Sequence, residues 1–361
     1  MSENLFVLPA AGVTLAEVNS QHLLLVPEKE LLFSATPPVA EAWAGFELGV
    51  TTVRPDAADV PDGGILSDLL QIGALEALST SEGPARVACC ETLELAGLCV
   101  VLAFEDADLR DELMPSFAHL ATAPRRGDDH VVIQRDADDG AGHIGIGRRD
   151  EEIDWVAPHE AVPLLKIKMT EVLFDHTDHV MLHAAQLERA GRCLLLLGDA
   201  GAGKSTLATA LEPAGFRLQS DDIVVMSQTG KLGALPFPVT LKEGSWRLLE
   251  HRRDEIDGAA QHLRPDALSV RYVGLTGDSS WMKAGWILVL DRQESGPASI
   301  SELSLSDVFG ALLRAAWSGE DAMSPDVFEA MAACLHGAKF GRLTYSDLPR
   351  ALEVVSRFCE E

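Results

Sequence analysis

The chain is poor in positive charge: 29 lysines and arginines stand against 56 aspartates and glutamates, a formal net charge of −27 over 361 residues. Such a surface repels phosphate backbones over a Debye length, which disfavours nucleic acid and anionic membranes as partners. The pairs Arg125-Arg126 and Arg148-Arg149 are too short to make a basic patch. No apolar run reaches ~18 residues, the length that crosses a bilayer. The start, Met1-Ser2-Glu3-Asn4, lacks the basic opening of a signal peptide. Cysteine is scarce and scattered. Cys89, Cys90, Cys99, Cys193, Cys334 and Cys359 form no C-x-x-C pair and share no metal-site spacing. Internal repeats and low-complexity segments are also missing. These absences lead us to expect a soluble protein of a reducing compartment, the bacterial cytoplasm by default. What is present is apolar bulk: 47% of the residues are hydrophobic, enough to bury sizeable cores. At roughly 100–200 residues per domain, the length suggests two or three domains.

Residues 1–82 read as a small α+β unit. Leu23-Leu24-Leu25-Val26 and Leu31-Leu32-Phe33 are short apolar runs separated by Pro27-Glu28-Lys29-Glu30, a strand–turn–strand pattern. Val39, Ala42, Trp43 and Phe46 follow at helical spacing, and Ile65, Leu66, Leu69, Leu70 and Ile72 form a second amphipathic stretch. Residues 55–64 are a loop rich in Asp, Pro and Gly. Residues 83–160 alternate strand-like runs (92–104, 130–134, 143–147) with acidic loops. The glycines of 142–147 superficially resemble a phosphate loop but lack a strand before and a helix after, so a hairpin turn is the better reading. Residues 161–300 read as a nucleotide-binding core, with the densest signal over 163–228. A helix over 164–174 leads to Val180-Met181-Leu182-His183, then to a fully buried strand over 193–197, a glycine-rich loop, a helix over 205–211 and a buried strand over 223–226. That order suggests a βαβ unit in a parallel sheet, with a late strand at 286–290. Residues 301–361 read as mostly helical, interrupted near Tyr345-Ser346-Asp347.

Gly198-Asp199-Ala200-Gly201-Ala202-Gly203-Lys204-Ser205 satisfies G-x-x-x-x-G-K-[ST] between a strand and a helix. The glycines let backbone N–H groups turn inward around a polyphosphate, and the helix start adds partial positive charge. Lys204 would neutralise β- and γ-phosphate oxygens, Ser205 would hold Mg²⁺, and Thr206 ends the nucleotide-contacting stretch. ATPases, GTPases and kinases all carry this motif. The discriminating feature is Asp221-Asp222 at the edge of the next strand, where one carboxylate can bind metal while the other accepts a proton from an attacking hydroxyl. A third element is His183, 15 residues before Gly198, which as a functional group would orient phosphate, bind metal or assist proton transfer. His176 and His179 have no third ligand at clear spacing, so a solvated helix end or loop is the better reading there.

Together these elements resemble HPr kinase/phosphorylase, a bacterial protein-serine kinase related in fold to phosphoenolpyruvate carboxykinase. In that family a His precedes the loop and an Asp-Asp pair follows it, as His183 and Gly215-Phe216-Arg217-Leu218 running into Ser220-Asp221-Asp222 do here. The resemblance covers residues 86–350 loosely and 180–226 closely. It implies an α/β P-loop kinase domain over 83–361 that uses ATP and Mg²⁺. Asp221 would be general base, Asp222 would lie close to the metal, and His183 beside the transferred phosphate. The chain departs from the family in having Thr206 where Glu is usual, and in lacking the downstream signature tied to the phosphorylase reaction. The expectation is therefore a kinase only. Lys242-Glu243-Gly244-Ser245-Trp246 looks like a motif of more distant relatives, with Lys242 either a phosphate contact or an isolated surface lysine. HPr kinases are hexameric, but the termini here diverge from theirs, so the hexamer is not carried over and a homo-oligomer stands only as one option. Residues 1–82 resemble PqqD, a winged-helix-like module that binds leader peptides, and would add an edge strand to which a peptide could pair.

The leading functional expectation is ATP- and Mg²⁺-dependent phosphorylation of a Ser or Thr hydroxyl on a peptide or protein, such as a ribosomally made precursor peptide. The alternatives are a small-molecule kinase or carboxykinase-like enzyme, and a non-catalytic, nucleotide-gated peptide-binding protein.

Overall fold

Strands buried on both faces organise the chain. A computed structural model describes residues 5–47, 51–53, 63–81, 83–136, 142–177, 179–277, 280–317 and 324–360. It divides the chain into two compact units, Met1–His176 and Thr177–Glu361.

In chain order the first unit holds β1 (Leu5–Pro9), β2 (Thr14–Val18), β3 (Gln21–Val26), β4 (Leu31–Ala35), α1 (Pro37–Glu47), β5 (Thr51–Val53), α2 (Gly63–Gln71) and β6 (Leu75–Ala77). Then come β7 (Ser79–Thr80), β8 (Gly83–Pro84), β9 (Cys89–Leu95), β10 (Leu98–Phe104), α3 (Ala107–Leu113), β11 (Asp129–Arg135), β12 (Ile144–Arg148), β13 (Asp154–Val156) and α4 (Pro158–His176). The expected hairpin is β3–β4, part of an antiparallel β2-β3-β4 sheet, and the two expected helices are α1 and α2. Trp43 of α1 is fully buried among Leu24, Val26, Leu69 and Leu75, as the helical spacing of its apolar face requires. Most of the expected loop over 55–64 lies outside the described residues.

A five-stranded sheet of order β13-β12-β11-β10-β9 follows. The apolar run over 92–104 is a hairpin rather than one strand, reversing at Ala96 and Gly97, both at positive φ. The glycines near 145 lie in strand β12, not in a turn. A Cβ on Gly145 would stand 2.7 Å from Ile153, so glycine there admits the close pairing of β13. The expected boundary after residue 82 runs through continuous packing: Phe6, Leu8 and Leu78 share one apolar cluster with Ala103 and Val132.

The second unit begins with β14 (Val180–His183), β15 (Ala185–Arg189), β16 (Arg192–Leu197), α5 (Lys204–Ala210), β17 (Arg217–Ser220), β18 (Ile223–Met226), β19 (Leu232–Ala234), β20 (Val239–Lys242), α6 (Glu243–Trp246) and α7 (Arg253–Gly258). It ends with β21 (Gln261–Leu263), β22 (Ser269–Val273), β23 (Ala284–Arg292), β24 (Ser299–Glu302), α8 (Leu305–Ala315), β25 (Ala316–Trp317), α9 (Pro325–Leu335), β26 (Lys339–Tyr345) and α10 (Leu348–Phe358). Three sheets result, of orders β17-β15-β16-β23-β26-β24, β19-β18-β14-β25 and β20-β22-β21.

The centre of the largest sheet is β16. Its alternate residues serve different cores: Leu194 and Leu196 pack with Leu207 and Val355, whereas Cys193, Leu195 and Leu197 pack with Val308 and Leu312. Covering both faces explains the unbroken apolar run, and truncating one such leucine to alanine costs about 2–5 kcal/mol.

Two expectations are corrected here. The parallel neighbour of β16 is β23, itself parallel to β26, and not the strand at 223–226. After α5 the chain turns at Gly215 (φ +86°) into β17, which pairs antiparallel with β15 on the far side of β16. β18 then joins a different sheet, antiparallel to β14. The second correction concerns residues 301–361, where a central strand, β26, lies between the helices. The chain is a mixed α/β protein with several sheets, and among the described residues no helix is long and apolar enough to cross a membrane.

Candidate functional site

Two chain crossings between the same pair of sheets bring His183 and Asp222 together. The first runs from β14 to β15 with only Ala184 between them, and the second from β17 to β18 through Asp221-Asp222. Because β14 pairs with β18 and β15 with β17, the crossings lie side by side, with His183 opposite Ile223 and Gln186 opposite Ser220. The Ala184 N–H donates to the Asp222 carbonyl (3.1 Å), and the Ser220 hydroxyl to the Ile223 carbonyl (2.6 Å). His183 Nδ1 thereby stands 3.2 Å from Asp222 Oδ1, at ion-pair distance but without hydrogen-bond geometry. Both side chains are about one-third exposed, and the His183 ring lies 5.5 Å from the Trp317 ring.

The glycine-rich loop leaves the same end of the sheet, since Ala185 at the start of β15 pairs with Leu196 near the end of β16. Asp199, Ala200 and Gly201 are exposed at its rim, whereas Lys204 is 6% exposed beneath it. The Lys204 ammonium donates to the carbonyls of Gly198 (2.7 Å) and Asp199 (3.3 Å). Gly203 has φ +91°, and a Cβ there would stand 2.5 Å from the Tyr345 hydroxyl, so two constraints demand glycine. That hydroxyl donates to the Ala202 carbonyl (2.8 Å). Burial pushes the Tyr345 phenol up, which keeps it protonated as a donor.

Burial pushes the Lys204 ammonium below the ordinary lysine value. Asp222, Asp199 and Asp221 oppose that shift, while Lys242 adds to it. Five residues singled out in the sequence therefore share one field. Lys242 comes there on β20, which three contacts fix. The Thr240 N–H donates to Asp221 Oδ2 (3.0 Å), Trp246 Nε1 to the Leu241 carbonyl (2.9 Å), and the Thr206 hydroxyl to that of Ser245 (3.1 Å). Thr206 thus links the loop helix to α6.

Asp221, expected as the general base, is 2% exposed and takes the Thr240 N–H, whereas Asp222 is the more accessible carboxylate. His176 ends α4 with Nε2 3.3 Å from Asp129 Oδ2, and His179 packs edge-on against Trp281. Asp178 lies outside the described residues. Among the described residues no group of three or more His, Cys, Asp or Glu side chains is placed to hold a metal ion.

Sequence reasoning missed Tyr345 and Trp317. The alternating pattern Lys339 to Tyr345 was a strand signal for the first; nothing in the sequence marks the second. Searches against models of known families and against curated proteins find no match to this chain.

Proposed function

We propose that the second unit is an ATP-dependent phosphotransferase of the HPr-kinase-like P-loop type, phosphorylating a Ser or Thr hydroxyl of a peptide or protein. One observation carries this reading: the accessible carboxylate Asp222, with His183 beside it, acts on the buried lysine of a phosphate-loop motif.

The residues present fit a nucleoside triphosphate with magnesium. The loop is shaped by a glycine that tolerates no Cβ, and its lysine uses two carbonyls as stand-in acceptors that phosphate oxygens would replace. Mg²⁺ commonly needs only a hydroxyl or carboxylate from the protein besides phosphates and waters, so Ser205 suffices as its anchor, with Asp222 nearby. When bound, the ion would neutralise charge on the phosphates. Lys204 would stabilise charge on the transferring group, and Lys242 would add a second cation.

The roles of the two aspartates are exchanged relative to the expectation from sequence. Asp222 would accept the hydroxyl proton as the alcohol oxygen bonds to the γ-phosphorus and the bond to the β–γ bridging oxygen breaks, releasing ADP. His183 would orient Asp222 and share the proton's charge. Asp221 would position β20, and Lys242 with it. The acceptor reading draws on residues 1–82 of the first unit, the PqqD-like segment. There β3 and β4 expose Leu25 (43%), Leu31 (41%) and Leu32 (63%) beside an edge strand, a surface suited to an extended peptide.

Mass spectrometry of peptide libraries incubated with ATP and Mg²⁺ tests the reading: one added phosphate on Ser or Thr is expected. Asp222→Asn should lower transfer about 10²–10⁴-fold while nucleotide still binds. Asp221→Asn keeps an oxygen for Thr240 and should retain most activity. The reverse ranking would restore Asp221 as base, and phosphoenolpyruvate formed from oxaloacetate would move the enzyme to carboxykinase-like chemistry.

A further inference from the structure

The three parallel strands at the centre of the largest sheet do not stop together. β16 ends at Leu197, which is in register with Val289 of β23. Beyond that point β23 continues through Leu290, Asp291 and Arg292, and β26 pairs Leu343, Thr344 and Tyr345 with them in turn. At the same level the chain of β16 turns at Gly198 into the glycine-rich loop. The overrun of β23 and β26 therefore stands beside that loop, at the carboxyl end of parallel strands where open α/β sheets bind their ligands.

Two contacts fix how closely. A Cβ on Gly198 would stand 3.2 Å from the Leu290 Cβ, so the loop leaves β16 directly against the overrun. Further along the loop, the Tyr345 hydroxyl donates to the Ala202 carbonyl (2.8 Å). Side chains alternate along a strand, so Leu290 and Arg292 project from one face, which the cross-strand partner Tyr345 shares. On that face Leu290, Leu343 and Tyr345 pack with Leu207 and Ala208 of α5. Arg292 is thus the last residue of β23 on the side of the sheet that carries the loop helix. It sits one strand away from the tyrosine that braces the loop.

An extended arginine reaches about as far from its backbone as a tyrosine, which brings the loop within range of the guanidinium. Burial pushes the Tyr345 phenol up, and the nearby Arg292 charge opposes that shift. Arg292 is exposed, and among the described residues its guanidinium forms no hydrogen bond or ion pair. Asp291 projects to the opposite face and accepts from the Gln293 amide (2.6 Å), and Asp347 caps α10 by accepting the Arg350 N–H (3.0 Å). Asp199, exposed on the loop rim, lies beyond ion-pair distance of Arg292. The loop and Lys204 select the anion. Arg292 offers a planar fork of donors at their edge, a geometry that matches phosphate oxygens.

We propose that Arg292 is a further nucleotide-binding residue, a forked donor to the phosphate chain held by the loop. This rests on the phosphate-loop reading of the second unit and adds to it a contact from outside the motif.

Calorimetric titration of the full chain with ADP and with inorganic tripolyphosphate is the test. Arg292→Gln should weaken both ligands about tenfold, the loss of a charge-assisted hydrogen bond. Arg292→Lys keeps the charge without the fork and should recover part of the affinity. Arg314→Gln removes an equal charge from α8, which packs on the opposite face of the sheet, and should leave both affinities unchanged. Arg292 is exposed and bonds nothing, so its replacement should leave the fold intact, as circular dichroism would verify. Native protein that binds neither ligand would sink the phosphate-loop reading and this contact together. Binding that Lys204→Ala weakens and Arg292→Gln does not would overturn the contact alone. Weaker ADP with unchanged tripolyphosphate would put Arg292 at the base or ribose and overturn it too, as would an equal loss in Arg314→Gln.

Discussion

Lys204 in the second unit and His130 in the first are both basic side chains buried to about the same depth, 6% and 5% exposed. Burial pushes both below their ordinary values, and each has neighbours of both signs. Around Lys204 three carboxylates oppose the shift and Lys242 adds to it, whereas around His130 two guanidiniums add to the shift and Asp129 opposes it. The lysine starts from 10.5 and the histidine from 6.5, so the same desolvation acts on groups that begin on opposite sides of pH 7. Depth of burial alone would have assigned them one character; their intrinsic basicity separates them, and the surrounding charge modulates each.

The comparison breaks most visibly at Lys204. Lys204→Ala should lower phosphoryl transfer about 10²–10³-fold, the usual effect of removing one preorganised electrostatic contact. Nucleotide affinity of the native protein should also weaken as pH rises through the depressed Lys204 value, since only the ammonium attracts phosphate. Parallel calorimetry at several pH values measures both, and pH-independent affinity would contradict the assignment.

At His130 the effect is on stability. Its value in the folded chain, about 4, lies below the ordinary 6.5, so the unfolded chain takes up the proton first. Stability from this group is full above pH 6.5 and lost as pH falls toward 4, by about 3 kcal/mol. Urea midpoints measured across that window should slope less in His130→Leu than in the native chain. The smallest expected effect is at Tyr345→Phe. Losing one hydrogen bond to the loop should cost about 1 kcal/mol, read as an approximately fivefold rise in nucleotide Kd.

Much of the second unit's local structure was legible because it is written in contiguous residues. The loop from Gly198 to Ser205 and the continuous apolar run of β16 are visible in one reading frame. The difference in burial between Asp221 and Asp222 was not, because it depends on the Thr240 N–H, 19 residues further along. Sheet order was also hidden: β17 and β18 are separated by two residues yet belong to different sheets, and local pattern does not show where a chain changes sheet. In the first unit the hairpin and both helices followed from spacing. The surroundings of His130 did not, because a histidine opening a short strand-like run shows nothing of the Arg126 side chain and the turn after β1 that lie around it.

The contact from Tyr345 to Ala202 joins groups 143 residues apart. A nascent chain emerging from a ribosome therefore exposes its glycine-rich loop long before the strand that braces it exists. Nucleotide capture should mature only when synthesis has passed β26, and ribosome-bound chains stalled before and after that point would acquire the ability in a single step.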